Sequence, residues 1–309
     1  MLLLIVKERK ESDELKLFTS LNSRKCLSEK EKQYHHKLKK GFEGELEFDK
    51  RIRGFSEGWL FLNDLLLEHN NAFFQIDSLG ICQNDVYLFD IKYHEGDYVV
   101  NGDTWQSTSG KVIKNPIHQL QRCQSSLRRF LQDRSLNFSV KPYLIFNHPT
   151  FTLYQAPLDP AIVFPTQLTR FIENLRNVNG SVGARQQRLA EVLLSSHHEK
   201  YPNPFIPKYD YDELRKGIVC SECESMKVVF VKQRFIVCEE CSHSEKTEAA
   251  ILRGVEEFRL LFPERKVNTT EIYEWCGGIV NKKTIQRILT RNFIRIDQGR
   301  ATNYIVTTK

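Results

Sequence analysis

The chain has 309 residues, 40% hydrophobic and 27% charged, close to globular averages, which argues against extended disorder and for two or three domains of roughly 100 to 200 residues each. No stretch approaches the roughly 20 apolar residues of a membrane span, and the apolar residues 1–6 run at once into Lys7, Glu8, Arg9 and Lys10, too short and wrongly flanked for a secretory leader. A cytoplasmic location with no membrane partner is therefore expected. The net charge is +6, and residues 281–309 alone carry seven bases (Lys282, Lys283, Arg287, Arg291, Arg295, Arg300 and Lys309) against Asp297. Such a concentrated basic face points to a polyanion, with nucleic acid the first choice.

In chain order, the first informative stretch is KKGFEGELEFDKRI, residues 39–52, which places Glu45 at the start of a predicted helix. NAFFQIDSLGIC and DVYLFDIK follow as two strands joined at QND, an antiparallel hairpin. Residues two apart on a strand face the same side, so Asp90 and Lys92 point together, on the side of Val86 and Leu88. Buried charges need partners, and the hairpin brings Asp77 beside Asp90. Two close carboxylates repel each other, and a divalent cation is the simplest remedy. Hard oxygen donors left partly open to water suit Mg2+ or Mn2+ better than zinc. Asn115 and Pro116 then open an amphipathic helix, IHQLQRCQSSLRRFL, whose Gln119, Arg122, Arg128 and Arg129 can reach phosphates. Tyr98 and Trp105 could stack on bases, but aromatic residues on strands are more often core, and they are left out of the expected site.

An acid on a helix, an acid on a strand and an acid-x-lysine on the next strand follow the PD-(D/E)xK arrangement of Mg2+-dependent nucleases. Over residues 35–150 the chain resembles the NERD (nuclease-related domain) family, on KKGFEGE, FQIDSLGICQNDVYLFDIKYHEGDY and NPIHQLQRCQSSLRRFL, in that order. The resemblance implies a restriction-endonuclease-like α/β fold, a mixed sheet with flanking helices. It also matches Glu45, Asp77, Asp90 and Lys92 to nuclease positions, Gly41 and Gly44 to a glycine-framed acid, and Gln119 to a helix position near the site. The chain departs from the wider nuclease pattern in lacking a proline before Asp77 and in having Asp90 where Glu is common. The chemistry expected is phosphodiester hydrolysis. Asp77, Asp90 and the Ile91 carbonyl would hold Mg2+ or Mn2+, Lys92 would orient the attacking water, Glu45 would orient Lys92 or an outer water, and Gln119 would hold a backbone phosphate.

Beyond this region, LTRFIENLRNV and RQQRLAEVLLSS predict helices, and YPNPFIPKY reads as a linker. Cys220, Cys223, Cys238 and Cys241 form two C-x2-C knuckles separated by a hairpin-like MKVVFVKQRFIV, the spacing of a structural zinc ribbon. Asn268 and Glu271 cap a helix through Trp275, which Gly277 and Gly278 end, and Asn281 caps the next helix, KKTIQRILTRN. FIRIDQGRATNYIV predicts two strands around Asp297, Gln298 and Gly299. Helix, turn, basic helix and basic hairpin is the order of a winged helix-turn-helix, with Lys282, Lys283, Gln286, Arg287, Arg291 and Arg300 as nucleic-acid contacts. The expected division is a nuclease-like domain over 1–157, a helical connector and linker over 158–216, a zinc ribbon over 217–247 and a winged-helix-like domain over 248–309. DNA is the first partner. RNA as substrate, or a non-catalytic DNA-binding role, remain the alternatives.

Overall fold

A computed structural model describes residues 5–55, 58–202, 204–298 and 301–305. In chain order the elements are β1 (Ile5–Lys7), α1 (Asp13–Arg24), α2 (Glu29–Ile52), β2 (Leu60–His69), β3 (Ala72–Cys82), β4 (Asp85–Lys92), β5 (Asp97–Asn101), β6 (Thr104–Ser107) and β7 (Val112–Ile113). They continue with α3 (Pro116–Asp133), β8 (Ser139–Phe146), β9 (Thr152–Tyr154), β10 (Ile162–Val163), α4 (Pro165–Arg176) and α5 (Ala184–Ser195). The last group is β11 (Val228–Val231), β12 (Phe235–Cys238), β13 (Ser244–Lys246), α6 (Thr247–Leu261), α7 (Thr269–Trp275), α8 (Lys282–Asn292), β14 (Ile294–Gln298) and β15 (Ala301–Ile305). The chain divides into two compact units, residues 1–11 with 37–203 and residues 12–36 with 204–309.

The first unit is built on a six-stranded mixed sheet in the order β1-β2-β3-β4-β8-β10. The β2-β3-β4 meander is antiparallel, and β8 runs parallel to β4 with Lys92 beside Phe146. Central strand β4 is covered on both faces, which is why it reads as a nearly continuous apolar run. Val86 and Leu88 enter a core with Leu127 and Phe130 of α3 and Leu189 and Leu193 of α5. Tyr87, Phe89 and Ile91 face Phe48 and Ile52 of α2 and Leu168 and Ile172 of α4. A four-stranded sheet, β7-β6-β5-β9, adds Trp105, which is buried and stacked on Phe146 at 5.9 Å between ring centres.

Strands β2 and β3 share a defect. Their ladder pairs Asn63 with Ser78 and Leu65 with Ile76 and skips Asp64 and Asp77 between them. Leu60 and Leu62 face the same core as Leu65 and Leu67, and Leu79 the same core as Ile76, so both strands reverse their inward alternation at this level. Asp64 takes φ +53° there, left-handed backbone that costs a non-glycine residue about 1–3 kcal/mol. Lys7 donates to the Asn63 and Asp64 carbonyls at 2.9 and 2.7 Å, and Arg9 to the Asp77 carbonyl at 2.7 Å. Charged side chains thus replace the ladder bonds that the defect removes.

Three expectations are corrected. Glu45 is not at a helix start: α2 begins sixteen residues earlier at Glu29, because EKEKQYHHKLKK contains good helix formers and no breaker. Helices α4 and α5, expected in a connector, pack into the two cores of the first unit through Leu168, Ile172, Leu189 and Leu193. Residues 12–36, expected in the nuclease-like domain, belong to the second unit. There the buried Arg24 of α1 stacks 3.8 Å over Trp275, pairs with Glu257 at 2.6 Å and donates to the carbonyls of Arg215 and Gly217.

The second unit also contains the cysteine-bearing sheet β11-β12-β13, followed by α6, α7, α8 and the β14-β15 hairpin. Asn268 accepts from the Thr270 and Glu271 amides and Asn281 from Thr284, as capping requires. Gly277 and Gly278, both with positive φ, follow α7. No helix among the described residues is long and apolar enough to cross a membrane.

Candidate active site and cysteine quartet

The β2-β3 defect determines where the first carboxylate points. The β3-β4 ladder ends at Ser78 and Phe89, and the Asp77 side chain continues it, Oδ2 accepting the Ile91 N–H at 2.8 Å. One residue before Ile91, Asp90 is 6% exposed, with Oδ1 2.6 Å from Lys92 Nζ. That oxygen is buried and has the ion-pair contact but no well-directed hydrogen bond. Lys92 Nζ also donates to Gln119 Oε1 at 3.2 Å, across to α3. Asp77, Ile91, Asp90, Lys92 and Gln119 therefore form one connected group on β3, β4 and the first turns of α3, whose start is fixed by Asn115 accepting the Ile117 N–H.

Glu45 reaches this region from α2, but its ion partner is Arg9 at 2.6 Å. That pairing takes up one carboxylate oxygen and leaves the other for the expected role of orienting Lys92 or an outer water. Gly44 explains the local approach of the helix: a Cβ there would lie 2.4 Å from Tyr93 Cβ. Its carbonyl accepts from Asn147 Nδ2 at 2.8 Å, and the Asn147 N–H donates to the Lys92 carbonyl at 3.0 Å. Asn147 therefore fastens α2 to the end of β4. Around Gly41, nothing lies within reach of an added Cβ, so its place in the helix is not explained by packing.

The electrostatics show a site rich in acids. Burial pushes the Asp90 carboxyl up to about 6, with the charge of Asp77 adding and Lys92 opposing. Burial, then Asp77, pushes Glu45 up to about 8 against the pull of Arg9. Burial alone would lower the pKa of Lys92, but Asp90, Asp77 and Glu45 outweigh it and hold the ammonium charged. Carboxyls that resist ionisation beside a retained cation mark a place where a further cation is favourable. The buried Asp90 Oδ1, the hard oxygen donors and the two adjacent strands fit a Mg2+-like ion. Among the described residues only the cysteines form a group of three or more metal-binding side chains close enough to share one ion, so Glu45 does not join Asp77 and Asp90 in a single cage.

The four sulfurs of Cys220, Cys223, Cys238 and Cys241 lie within 4.8 Å of one another. The Cys220–Cys241 and Cys223–Cys238 separations are 3.6 and 3.5 Å, near the ~3.8 Å edge of a tetrahedron with Zn–S bonds of about 2.3 Å. Backbone amides, that of Cys241 first, lower the Cys238 thiol to about 7, while burial and the neighbouring sulfurs, outweighing backbone amides, raise Cys223 and Cys241, so Cys238 is the first of the four to give the thiolate that a metal needs. This group can hold one metal ion and leaves no side-chain position open.

On α8, Ile285, Ile288 and Leu289 are buried while Lys283, Gln286 and Arg287 are exposed. Lys282 lies 5.0 Å over the Tyr273 ring and Arg291 is 3.7 Å from Glu248. Arg300 falls outside the described residues.

Residues 40–147 match the family model of the nuclease-related domain, NERD. The match runs from within α2 to Asn147, and so includes Glu45, Asp77, Asp90, Lys92 and Gln119. The nuclease-related domain implies a restriction-endonuclease-like fold, and the mixed sheet between flanking helices has that architecture. No curated protein and no solved structure matches the chain. Arg9, Asp49 and Asp64 could not be singled out by sequence: Arg9 lies in a short charged run, and nothing in one sequence marks it as buried. The only signal for Asp49 is its helical spacing, four residues beyond Glu45.

Proposed function

We propose that the first unit is a Mg2+-dependent nuclease hydrolysing DNA phosphodiester bonds, and that the second unit delivers it to DNA. The observation that carries this reading is the connected group Asp77–Ile91–Asp90–Lys92–Gln119, within the nuclease-related segment. Asp77 and Asp90, with the Ile91 carbonyl, would hold the divalent ion, which when bound polarises a phosphate and makes a water more acidic. Lys92, kept protonated by its acidic neighbours, orients the attacking water and stabilises charge developing on the phosphate. Gln119, exposed at the start of α3, offers its amide N–H2 to a phosphate oxygen while its carbonyl holds Lys92. Arg122 and Arg129, exposed on the same helix, lie where they can contact further phosphates.

In this reading Zn2+ fills the cysteine quartet as a structural ion, and α7, α8 and β14-β15 act as a winged helix-turn-helix. Lys283, Gln286 and Arg287 would enter the major groove, with Lys282, Arg291 and Arg300 beside phosphate. The deciding experiment incubates purified full-length protein with labelled linear duplex, circular duplex, single-stranded DNA and RNA. Each is tested with Mg2+, with Mn2+ and with chelator. Cleavage of DNA that needs the divalent ion is expected. Absence of cleavage on every substrate overturns the nuclease reading, and preference for RNA overturns the choice of DNA.

A further inference from the structure

The segment before the nuclease-related match places a guanidinium against the metal-binding strand. Arg9 has a side chain only 1% exposed, yet it lies thirty-one residues before the matched segment begins. Every donor nitrogen of its fork is used within the first unit. Nη1 donates to Glu45 at 2.6 Å, Nε and Nη2 to Asp49 at 2.9 and 3.1 Å, and Nη2 also to the Asp77 carbonyl at 2.7 Å. It thereby links the segment after β1, two successive turns of α2 and the β3 residue where the sheet ladder is interrupted.

We infer that Arg9 is a positioning residue for Asp77, and that the nuclease site is complete only with the segment after β1. Between Asn63 and Leu65 the ladder gives the β3 backbone no partner at Asp77, and the Asp77 carbonyl accepts from Arg9 instead. Carbonyl and carboxylate belong to one residue, and rotation of a peptide freed from Arg9 would swing Oδ2 away from Ile91. The planar fork is what spans helix and strand together. An ammonium at the same place keeps the charge but cannot hold three acceptors in one plane. Mutation of groups that fix metal ligands from behind typically costs roughly 10–100-fold in metal affinity.

The inference rests on the metal-site reading above, so its test uses the metal alone. In full-length protein, Mn2+ binding is titrated calorimetrically for wild type, Arg9→Lys and Asp49→Asn, with thermal melts recorded alongside. Arg9→Lys keeps the positive charge and should bind Mn2+ about tenfold or more weakly while the folded spectrum is retained. Asp49→Asn, which loosens the other end of the fork, should show a smaller loss in the same direction, and it decides the matter if Arg9→Lys does not fold. Wild-type Mn2+ affinity in the folded variants overturns the inference, as does a wild type that binds no Mn2+. A wild type that binds Mn2+ and cuts no nucleic acid removes the nuclease reading, while the role of Arg9 is still judged from the titration.

Discussion

The Asp77 carboxylate is aimed by an interruption in its own sheet, and the residue opposite absorbs the distortion. Asp64 sits at φ +53°, where a β-branched side chain fits worst and glycine fits freely. Asp64→Val should therefore be about 1–3 kcal/mol less stable than Asp64→Gly, read as a difference in urea midpoints; equal midpoints would show that the backbone there is unstrained. At the site itself, Asp90→Asn or Lys92→Ala should abolish Mg2+-dependent cleavage and leave DNA affinity near wild type, with Lys92→Ala also lowering the melt because it leaves the buried Asp90 without its partner. Wild-type rates in either would remove these residues from the chemistry. His94 supplies a pH prediction. Burial among Tyr98, Phe146 and Phe151, then Lys92, Lys37 and Lys111, depresses its imidazole to about 4. The unfolded chain takes up that proton near 6.5, so the stability due to neutral His94 is present above pH 6.5 and lost as pH falls towards 4. Melts of His94→Phe should decline less over that window than wild-type melts, and parallel declines would count against it. Asp90 and Lys92 were legible because strand alternation fixes their relation locally, and the short hairpin turn put Asp77 opposite Asp90, though it did not show the aim that the defect gives its carboxylate. Arg9 and Asp64 were not, because their roles arise from a backbone defect that no pattern of hydrophobicity encodes.

At the scale of elements, local signals located most helices and strands, and failures came where tertiary packing assigns an element its place. Asn115, Asn268 and Asn281 cap as their sequences predict. The ribbon's strands gain a third member, β13, which pairs with β12 from Val237 to Phe235. Its sequence, SEK, has no strand alternation long enough to read. Helix α1 is a stronger case: DELKLFTSLNSR is amphipathic, but its partners, Glu257 and Trp275, are more than 230 residues away. With both side chains mostly buried, replacing Arg24 by Met leaves Glu257 unpaired and should cost about 3–5 kcal/mol. The Arg24→Met, Glu257→Gln double variant should recover part of that loss. Thermal melts of the two variants measure this, and no difference between wild type and Arg24→Met would mean that α1 is held by its apolar face alone. For the cysteine quartet, elemental analysis should find about one Zn2+ per chain, lost in Cys220→Ser with Cys241→Ser. Residues 217–247 should then become open to protease, because metal binding supplies the folding energy of so small a sheet. Protection that survives metal loss would contradict this.

For the molecule as a whole, the division of labour between two units is a claim about where affinity resides. All six net charges can be assigned to residues 281–309, while the first unit offers Gln119 and the α3 arginines beside a site rich in acid. Removing the chain from about Glu248 is an impure test, because Glu257 and Trp275 lie beneath Arg24 in the same unit and their loss would expose α1. Side-chain changes that leave the fold intact are cleaner. Lys283, Gln286 and Arg287 are exposed on α8 while the buried face of that helix is unchanged, so replacing all three by alanine should weaken DNA binding and preserve the melt. Every phosphate that is no longer neutralised should lower the slope of log affinity against log salt by about 0.9; two bases removed thus set an upper limit near ~1.8 for this variant. Arg185→Ala with Arg188→Ala in the first unit removes the same charge and is the control. Cutting at high protein concentration should persist in both, since neither alters Asp77, Asp90 or Lys92. If mobility-shift titrations across salt give the α8 variant the affinity and slope of wild type, the second unit is not the DNA-binding arm, and its basic helix serves a protein partner instead.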